Sequence, residues 1–411
     1  MQSVDKEFQA TTVLLFGPQA LSFQEQSFHH LRSTIRSHWD NGWMRTVLDE
    51  LPRFIELFSQ KLKTLQPSPA LELLQRVAEW LDSDAPSPLP ETLPNTILTP
   101  LVVLGQLAQY SQYVEVAHVD AGLGADRWSP QLRRSETLGF CTGFLSALAV
   151  SSASSKAEFE TFGAVAVRLA TLIGAFVDAE DGDERFGRST SVSAAWNTQE
   201  QGEQLKAIVA EDPEAYISVY YDKTRATVTT SSQASPTLQQ RLREQGIVAS
   251  EIGLRGRYHC IRYRDTIDEL IALCDGLSEL QLPYANDLVI PTLSTTSGEF
   301  ISEGKLHHIA LREILLEPCQ WYQTFESMAT SSLEYKDSLL VIFGQEKCIP
   351  PTRSRYISEK VVYMANWEDA MPKLAALTEP SESYSDDDIA VVGMACKGKP
   401  SHPSQLHKDP S

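Results

Sequence analysis

Several things are scarce in this sequence, and each scarcity removes a class of function. Among 411 residues there are six cysteines, with no Cys-x-x-Cys pair and no metal-ligand spacing. Reduced thiols are therefore expected, and zinc ligation by cysteine is not. Basic residues are the minority charge, 35 Lys and Arg against 54 Asp and Glu, for a net charge of −19. Nucleic acids and anionic membranes are bound by neutralising phosphate, so neither is expected as a partner. No apolar run approaches the roughly 20 residues of a membrane span, and the start, Met1 to Glu7, lacks the basic opening and apolar core of a secretory signal. A cytoplasmic location is expected. The length, beyond one average domain, predicts two structural units.

What is present centres on Gly139-Phe140-Cys141-Thr142-Gly143, between a short apolar run and a small-residue helix. Gly-x-Cys-x-Gly has the spacing of a nucleophile elbow, in which a strand turns sharply into a helix and holds the central side chain at the tip. Cys141 is that side chain. The glycines are expected to allow both the close approach of strand and helix and torsions that a Cβ would penalise. Phe140 would face the site, and Thr142 would offer its backbone N–H to an oxyanion. The helix from Phe144 to Val150 would lower the thiol pKa through its positive end. The same residues also fit a buried, inert cysteine beside two packing glycines. The rest of the chain has to decide.

Thr11 to Phe16 is a β-rich run closed by Gly17-Pro18, with Gln19 in the following loop. Apolar periodicity predicts helices over Trp43 to Leu65, Leu71 to Leu81 and Thr96 to Ala117, the second opened by Ser68 as N-cap and Pro69. A Gly- and Asp-rich loop, Asp120 to Ser129, leads to the strand before the elbow. The order strand, helices, strand, elbow, helix predicts a doubly wound α/β core with its site at the carboxyl edge of the sheet. Lys156 to Glu180 reads as one amphipathic helix, and the acidic cluster Asp178 to Glu184 as its solvated end rather than a calcium loop. Tyr216 to Tyr221, Ala226 to Thr230, a helix from Pro236 to Gln245 and a strand from Ile247 predict a small inserted α+β subdomain. Asp287 to Ile290 and Ser338 to Phe343 read as further core strands, with helices around Leu306 to Leu316 and Tyr322 to Met328. His307-His308 beside Glu303 and Glu313 have the residue types of a metal site, but adjacent helical residues point about 100° apart, so no metal site is expected.

Of the nine histidines, His259 in Arg257-Tyr258-His259-Cys260 is the best placed to act as a base toward a thiol. Together with Phe16-Gly17-Pro18-Gln19 and the elbow, that stretch resembles the starter-unit acyl-carrier-protein transacylase domain of fungal non-reducing polyketide synthases. This is a branch of the malonyl-CoA:ACP transacylase family. The resemblance covers most of residues 11 to 345. Ile389 to Cys396 looks like the opening strand of a ketosynthase, from which Lys397 onward departs. The implied fold is an α/β acyltransferase, with an α/β-hydrolase-like large subdomain over 1–198 and 255–345 and an inserted ferredoxin-like subdomain over 199–254. A linker would occupy 346–388, and 389–411 would be the start of a truncated ketosynthase or an appended tail.

By this resemblance Cys141 is the nucleophile, His259 its base, and the N–H groups of Gln19 and Thr142 the oxyanion hole, in a ping-pong exchange between thioesters. No cofactor is implied; acyl-CoA or a phosphopantetheinyl acyl carrier protein is the substrate. The implied partners are the carrier domain of the same synthase and a partner synthase as a possible donor, within a homodimeric parent. Malonyl-loading relatives carry an Arg just before a Gly on the helix after the elbow, and Ile173 holds the matching position. A carboxylate buried there would be unpaired, so an uncharged acyl group is expected. Arg255, Arg257, Arg262 and Arg264 crowd around His259 in an acidic chain and would dock the anionic carrier or CoA phosphates. Alternatively they pair with local acids. A catalytically degenerate docking module and a cysteine thioesterase are the competing functions.

Overall fold

The computed structural model describes residues 12–19, 25–38, 42–62, 67–83, 93–119, 135–181, 188–333, 338–345 and 347–378. Thr11, the loop 120–129, residues 182–184 of the acidic cluster and everything from Glu379, including Ile389 to Cys396, lie outside them.

The large subdomain is built on strands that are apolar on both faces. Strands β1 (Thr12–Phe16) and β7 (Leu339–Phe343) are almost wholly buried runs of Val, Leu, Ile and Phe, the pattern of a parallel sheet covered by helices on both sides. With β2 (Ser135–Gly139) and β8 (Val361–Tyr363) they form one parallel sheet in the order β2-β1-β7-β8. Around it lie α1 (Glu25–Arg36), α2 (Trp43–Lys61), α3 (Pro67–Asp82), α4 (Asn95–Val119), α5 (Gly143–Ser152) and α6 (Lys156–Asp181). Helix α3 starts ahead of Ser68, which is therefore not its cap.

Helix α6 is long and apolar enough, by length and composition, to cross a membrane, which the search for uninterrupted apolar runs missed. It is a core helix here, packed against α4, α5 and α2 with 78% of its most apolar window buried. At its end Asp178, Glu180 and Asp181 are half-buried rather than fully solvated. Asp178 accepts bonds from the backbone N and Nδ2 of Asn95, both 3.0 Å, and from the N and Oγ1 of Thr96 at 2.8 and 2.7 Å. It thereby satisfies the orphan N–H groups that open α4.

The second sheet is antiparallel, order β4-β5-β3-β6, from β3 (Ser189–Ala195), β4 (Tyr216–Asp222), β5 (Arg225–Ser231) and β6 (Val248–Glu251). Helix α7 (Gln199–Glu211) follows β3 and α8 (Ser235–Glu244) follows β5, giving the β-α-β-β-α-β order of a ferredoxin-like unit. The unit thus begins at β3, ahead of residue 199, with its own core of Val192, Leu205, Val228, Leu238 and Leu242. Strand β3 reads Ser-Thr-Ser-Val-Ser-Ala-Ala, too small and polar to announce itself as a strand.

Two other expectations are corrected. Asp287 to Ile290 is not a strand: Ala285–Asp287 is a 3₁₀ turn, and the segment after it only brushes the edge of β2 through Thr137 and Thr292. Pro291 closes the run, and the residues before it bond to Ser151 instead of a ladder. Most of the supposed linker is folded, as α12 (Pro351–Ile357), β8 and α13 (Trp367–Thr378). The two helices expected downstream are α10 (Leu306–Leu311) and α11 (Trp321–Met328); α9 (Arg264–Asp275), which precedes them, was not among the expectations. A π-helical turn, Arg312–Leu316, follows α10 directly.

Candidate active site

Strand β2 runs into α5 through Phe140, Cys141 and Thr142, and the turn is made possible by what its two glycines lack. A Cβ on Gly143 would lie 2.2 Å from the carbonyl oxygen of Gly17, and one on Gly139 would lie 2.3 Å from the Cα of Phe144. Close approach, not torsion, is their role, since neither has positive φ. The strained torsion sits on Cys141 itself, at φ 53°. A non-glycine residue there costs about 1–3 kcal/mol and persists only where its surroundings impose it. The thiol lies beside the N–H of Thr142 at the start of α5, yet burial pushes its pKa up to about 12, against that bond. Desolvation of the thiolate outweighs the Thr142 bond, so the thiol is not lowered as expected.

His259 is the other non-glycine residue with positive φ among those described, at 56°. Its own N–H bonds the carbonyl of Ile314 at 3.0 Å, and the N–H of Cys260 bonds that of Leu315 at 2.7 Å. Ring Nδ1 lies 2.9 Å from the carbonyl of Glu317. A carbonyl only accepts, so Nδ1 carries the proton and Nε2 presents its lone pair. Nε2 is buried with no partner. Burial lowers the His259 pKa to about 4, so the ring is neutral near pH 7.

Both residues open onto one cavity of about 210 Å³ between the two subdomains. Phe140 forms part of its wall and stacks on Trp321, ring centroids 4.4 Å apart and 9° from parallel. The small subdomain supplies Ser193, Ser218, Val219 and Thr229, and Ile252 and Leu254 complete that side. Among the described lining residues there is no carboxylate, and Lys347, exposed, is the one Lys or Arg.

Gln19 lines it too, 3% exposed, and its side chain is held by groups the sequence did not single out. Nε2 donates to Oδ1 of Asn95 at 2.8 Å, while Oε1 accepts from the hydroxyls of Tyr258 at 3.0 Å and Thr99 at 3.2 Å. Asn95 is in turn fixed by Asp178. One buried chain of bonds thus joins α6, α4, the Gln19 loop and the residue before His259. Tyr258 sits inside the Arg257 to Cys260 motif and was legible by position; Asn95 and Asp178 carry no such signal.

Other predicted residues are not brought to the cavity. Ile173 is fully buried in α6 among core residues and is not among those lining the cavity, so the substrate's charge cannot be read from it. Arg257 is 2% exposed and bonds the carbonyl of Glu214, which removes it from any docking surface. Arg255, Arg262 and Arg264 are exposed, Arg262 also bonding the carbonyl of Pro213. His307 and His308, despite adjacency, both reach Oδ1 of Asp275, at 3.1 and 2.9 Å. The 100° argument fails because the carboxylate lies between their directions. The Lys305 ammonium already sits 2.7 Å from that oxygen, so the cluster supplies its own cation. Glu313 lies elsewhere, bonded to Ser294 and Thr295.

The family model for "Starter unit:ACP transacylase in aflatoxin biosynthesis" matches residues 14–259. The non-reducing polyketide synthase tazA of Aspergillus terreus is 51% identical over 95% of the chain, which spans 16% of that protein. The non-reducing polyketide synthase pigA of Monascus ruber is 43% identical over 94% of the chain and is spanned to 14%. The chain is thus about a sixth of the length of these relatives. Among solved structures, the malonyl-CoA:acyl carrier protein transacylase of Xanthomonas oryzae aligns over 90% of this chain and 98% of its own, TM-score 0.58 at 13% identity, a likeness of fold.

Proposed function

The chain belongs to the starter unit:ACP transacylase family, with the acyltransferase fold, and from that premise we propose that it moves an uncharged acyl group onto a polyketide synthase carrier domain through a thioester on Cys141. One observation carries the reading: the two non-glycine residues with positive φ among those described, Cys141 and His259, face the same cavity. Strain of this kind is kept where function requires a fixed side chain.

Burial resists charging either group alone. The proton therefore passes from Sγ to Nε2 of His259 as the C–S bond forms to the donor's carbonyl carbon, and the carbonyl π pair moves onto oxygen. The N–H groups of Thr142 and Gln19 are the proposed holders of that oxyanion. The Gln19 side-chain bonds keep its loop in place while charge develops. As the tetrahedral species collapses, the donor thiolate leaves and takes the proton from Nε2. The carrier's pantetheine thiol then repeats these steps in reverse order. Thioester is exchanged for thioester, so neither half is strongly uphill, and the apolar wall of Phe140, Val219 and Ile252 limits water.

The uncharged substrate now rests on the lining rather than on Ile173. The described lining offers no buried cation, so a malonyl carboxylate among these residues would be desolvated unpaired. Acyl-CoA and a partner's acyl carrier are the two donor classes, and no resident cofactor is needed for either. None of the five described cysteines forms a disulfide, in keeping with a reducing compartment such as the cytoplasm.

Intact-protein mass after incubation with acyl-CoAs from acetyl to decanoyl and malonyl, then with the carrier domain, tests this. A neutral acyl mass that maps to Cys141, is absent in Cys141→Ala and moves to the carrier supports it. Free acid without a carrier adduct would make the protein a thioesterase. No loading from CoA or from an acyl carrier, with carrier binding intact, would leave a docking module.

A further inference from the structure

We propose that Glu313 is a positioning residue for His259, its buried carboxyl tying the 294–295 loop to the π-helical turn whose carbonyls hold the base. The inference rests on the reading of His259 as that base.

Every bond recorded for His259 goes to backbone. Its N–H and that of Cys260 are taken by Ile314 and Leu315, and its ring lies against the backbone of Glu317 and Glu313, so the imidazole is placed only as well as the segment 313–317 is placed. That segment is the π turn Arg312–Leu316 and the residue after it. A π turn widens the helix and occurs mostly as single turns, frequently at functional sites, so it needs anchoring from outside. Glu313 supplies the anchor. It is 4% exposed, and its carboxylate accepts from the Ser294 hydroxyl at 2.6 Å and from the backbone N and hydroxyl of Thr295, both at 2.7 Å. The same loop grips the far side, since the carbonyl of Thr295 accepts the N–H of Gln320 at 2.8 Å. Glu317, the acceptor for Nδ1, lies between these two clamps.

A carboxyl is a costly choice for this position if packing were all that mattered. Burial raises its pKa, and an apolar side chain would fill the space without desolvation. What an apolar residue cannot do is accept three bonds from one loop. The carboxyl locks the loop and the turn as one rigid piece, which leaves Nε2 of His259 aimed at the cavity without any side-chain partner of its own.

The test compares wild type, Glu313→Ala and Glu313→Gln in steady-state transfer to the carrier, in single-turnover acylation of Cys141, and in ¹⁵N spectra of histidine-labelled protein. Glu313→Ala is expected to lower kcat about 100-fold, the order that misplacing a reacting group by an ångström costs, with KM within roughly twofold. Glu313→Gln keeps an acceptor for Thr295, and a rotated Ser294 hydroxyl can accept from its amide, so activity should return to within about fivefold of wild type. The wild-type His259 ring should show a single Nδ1-protonated tautomer that becomes a mixture in Glu313→Ala. A Glu313→Ala protein with kcat within about twofold of wild type and an unchanged tautomer overturns the proposal. So does a loss of activity matched by the loss of folded protein with the tautomer unchanged. Should Glu313→Ala not fold, Thr295→Val removes one donor and is read the same way, with a smaller kcat loss expected. If wild type itself fails to acylate Cys141, the transacylase reading fails, and the tautomer comparison still decides the role of Glu313.

Discussion

Cys141 and His259 face one cavity from left-handed backbones, but they are held there by different means. Cys141 is held by steric fit of backbone on backbone, where missing Cβ atoms at Gly139 and Gly143 let β2, α5 and the β1 loop touch. His259 is held by hydrogen bonds to a turn more than fifty residues further along the chain. Backbone packed on backbone is unforgiving; hydrogen bonds are adjustable and spread over several elements. The nucleophile should therefore respond to substitution by failing outright, and the base by degrees.

Gly143→Ala would break the first half of that comparison. An added Cβ would meet the backbone oxygens of Gly17 and Phe16 at 2.2 and 2.4 Å, and neither can swing away as a side-chain tip can. Overpacking of this kind costs about 1–3 kcal/mol or more, and here it also displaces the elbow. Transfer should fall by about 1,000-fold and the denaturant midpoint should drop, read by urea unfolding beside the carrier assay. A Gly143→Ala enzyme with near-normal activity would show that steric closure is not what holds Cys141.

His259→Gln probes the second half. Loss of a positioned base costs about 10²–10⁴-fold in rate. The neighbouring bonds from the 259 and 260 backbone to Ile314 and Leu315 do not depend on the side chain, so the melting temperature should hardly move. A large fall in melting temperature with a small fall in kcat would recast His259 as a structural residue.

The pH response sharpens the comparison further. His259 has its folded pKa lowered to about 4 from 6.5, so between these values the unfolded chain binds more protons than the folded one. Stability from this group is complete above pH 6.5 and is lost as pH falls toward about 4, by a term on the order of 3 kcal/mol. The same shift keeps the base unprotonated, so kcat/KM should stay flat from about pH 5 to 8, without a histidine inflection near 6.5. Such an inflection in kcat/KM, with stability flat across the window, would mean that the imidazole is solvated in the working enzyme.

How much of this was legible follows the same division. The elbow could be read because its demand is local, two glycines at fixed spacing round a cysteine, and β1 and β7 because parallel strands buried on both faces are continuous apolar runs. Strand β3 was hidden because serine, threonine and alanine satisfy an antiparallel ladder without an apolar signature. Asp287 to Ile290 deceived in the opposite sense, an apolar run whose register is taken by Ser151 and Pro291 rather than by a neighbouring strand. Ile173 was aligned on a helix whose face could not be known until α4 and α2 had packed against it. The Glu317 carbonyl and the Asp178-Asn95-Gln19 chain are long-range backbone and amide contacts, for which one sequence has no marker.

The smallest expected effect concerns the arginines, where the structure divides a cluster that the sequence presents as one. Arg257 is buried on the carbonyl of Glu214, so Arg257→Glu would place an unpaired charge inside and should lower stability. Arg262 and Arg264 are exposed just past the base, where an anionic carrier would approach. Reversing both to Glu should raise KM for the carrier about three- to tenfold, leave single-turnover acylation of Cys141 by small thioesters unchanged, and lose its effect as ionic strength rises, because exposed charges are screened within about 10 Å at 0.1 M salt. An unaltered KM at low salt would mean that these arginines serve only their own surface. The carrier would then find the cavity by shape, and the charge asymmetry of the chain would have no part in the encounter.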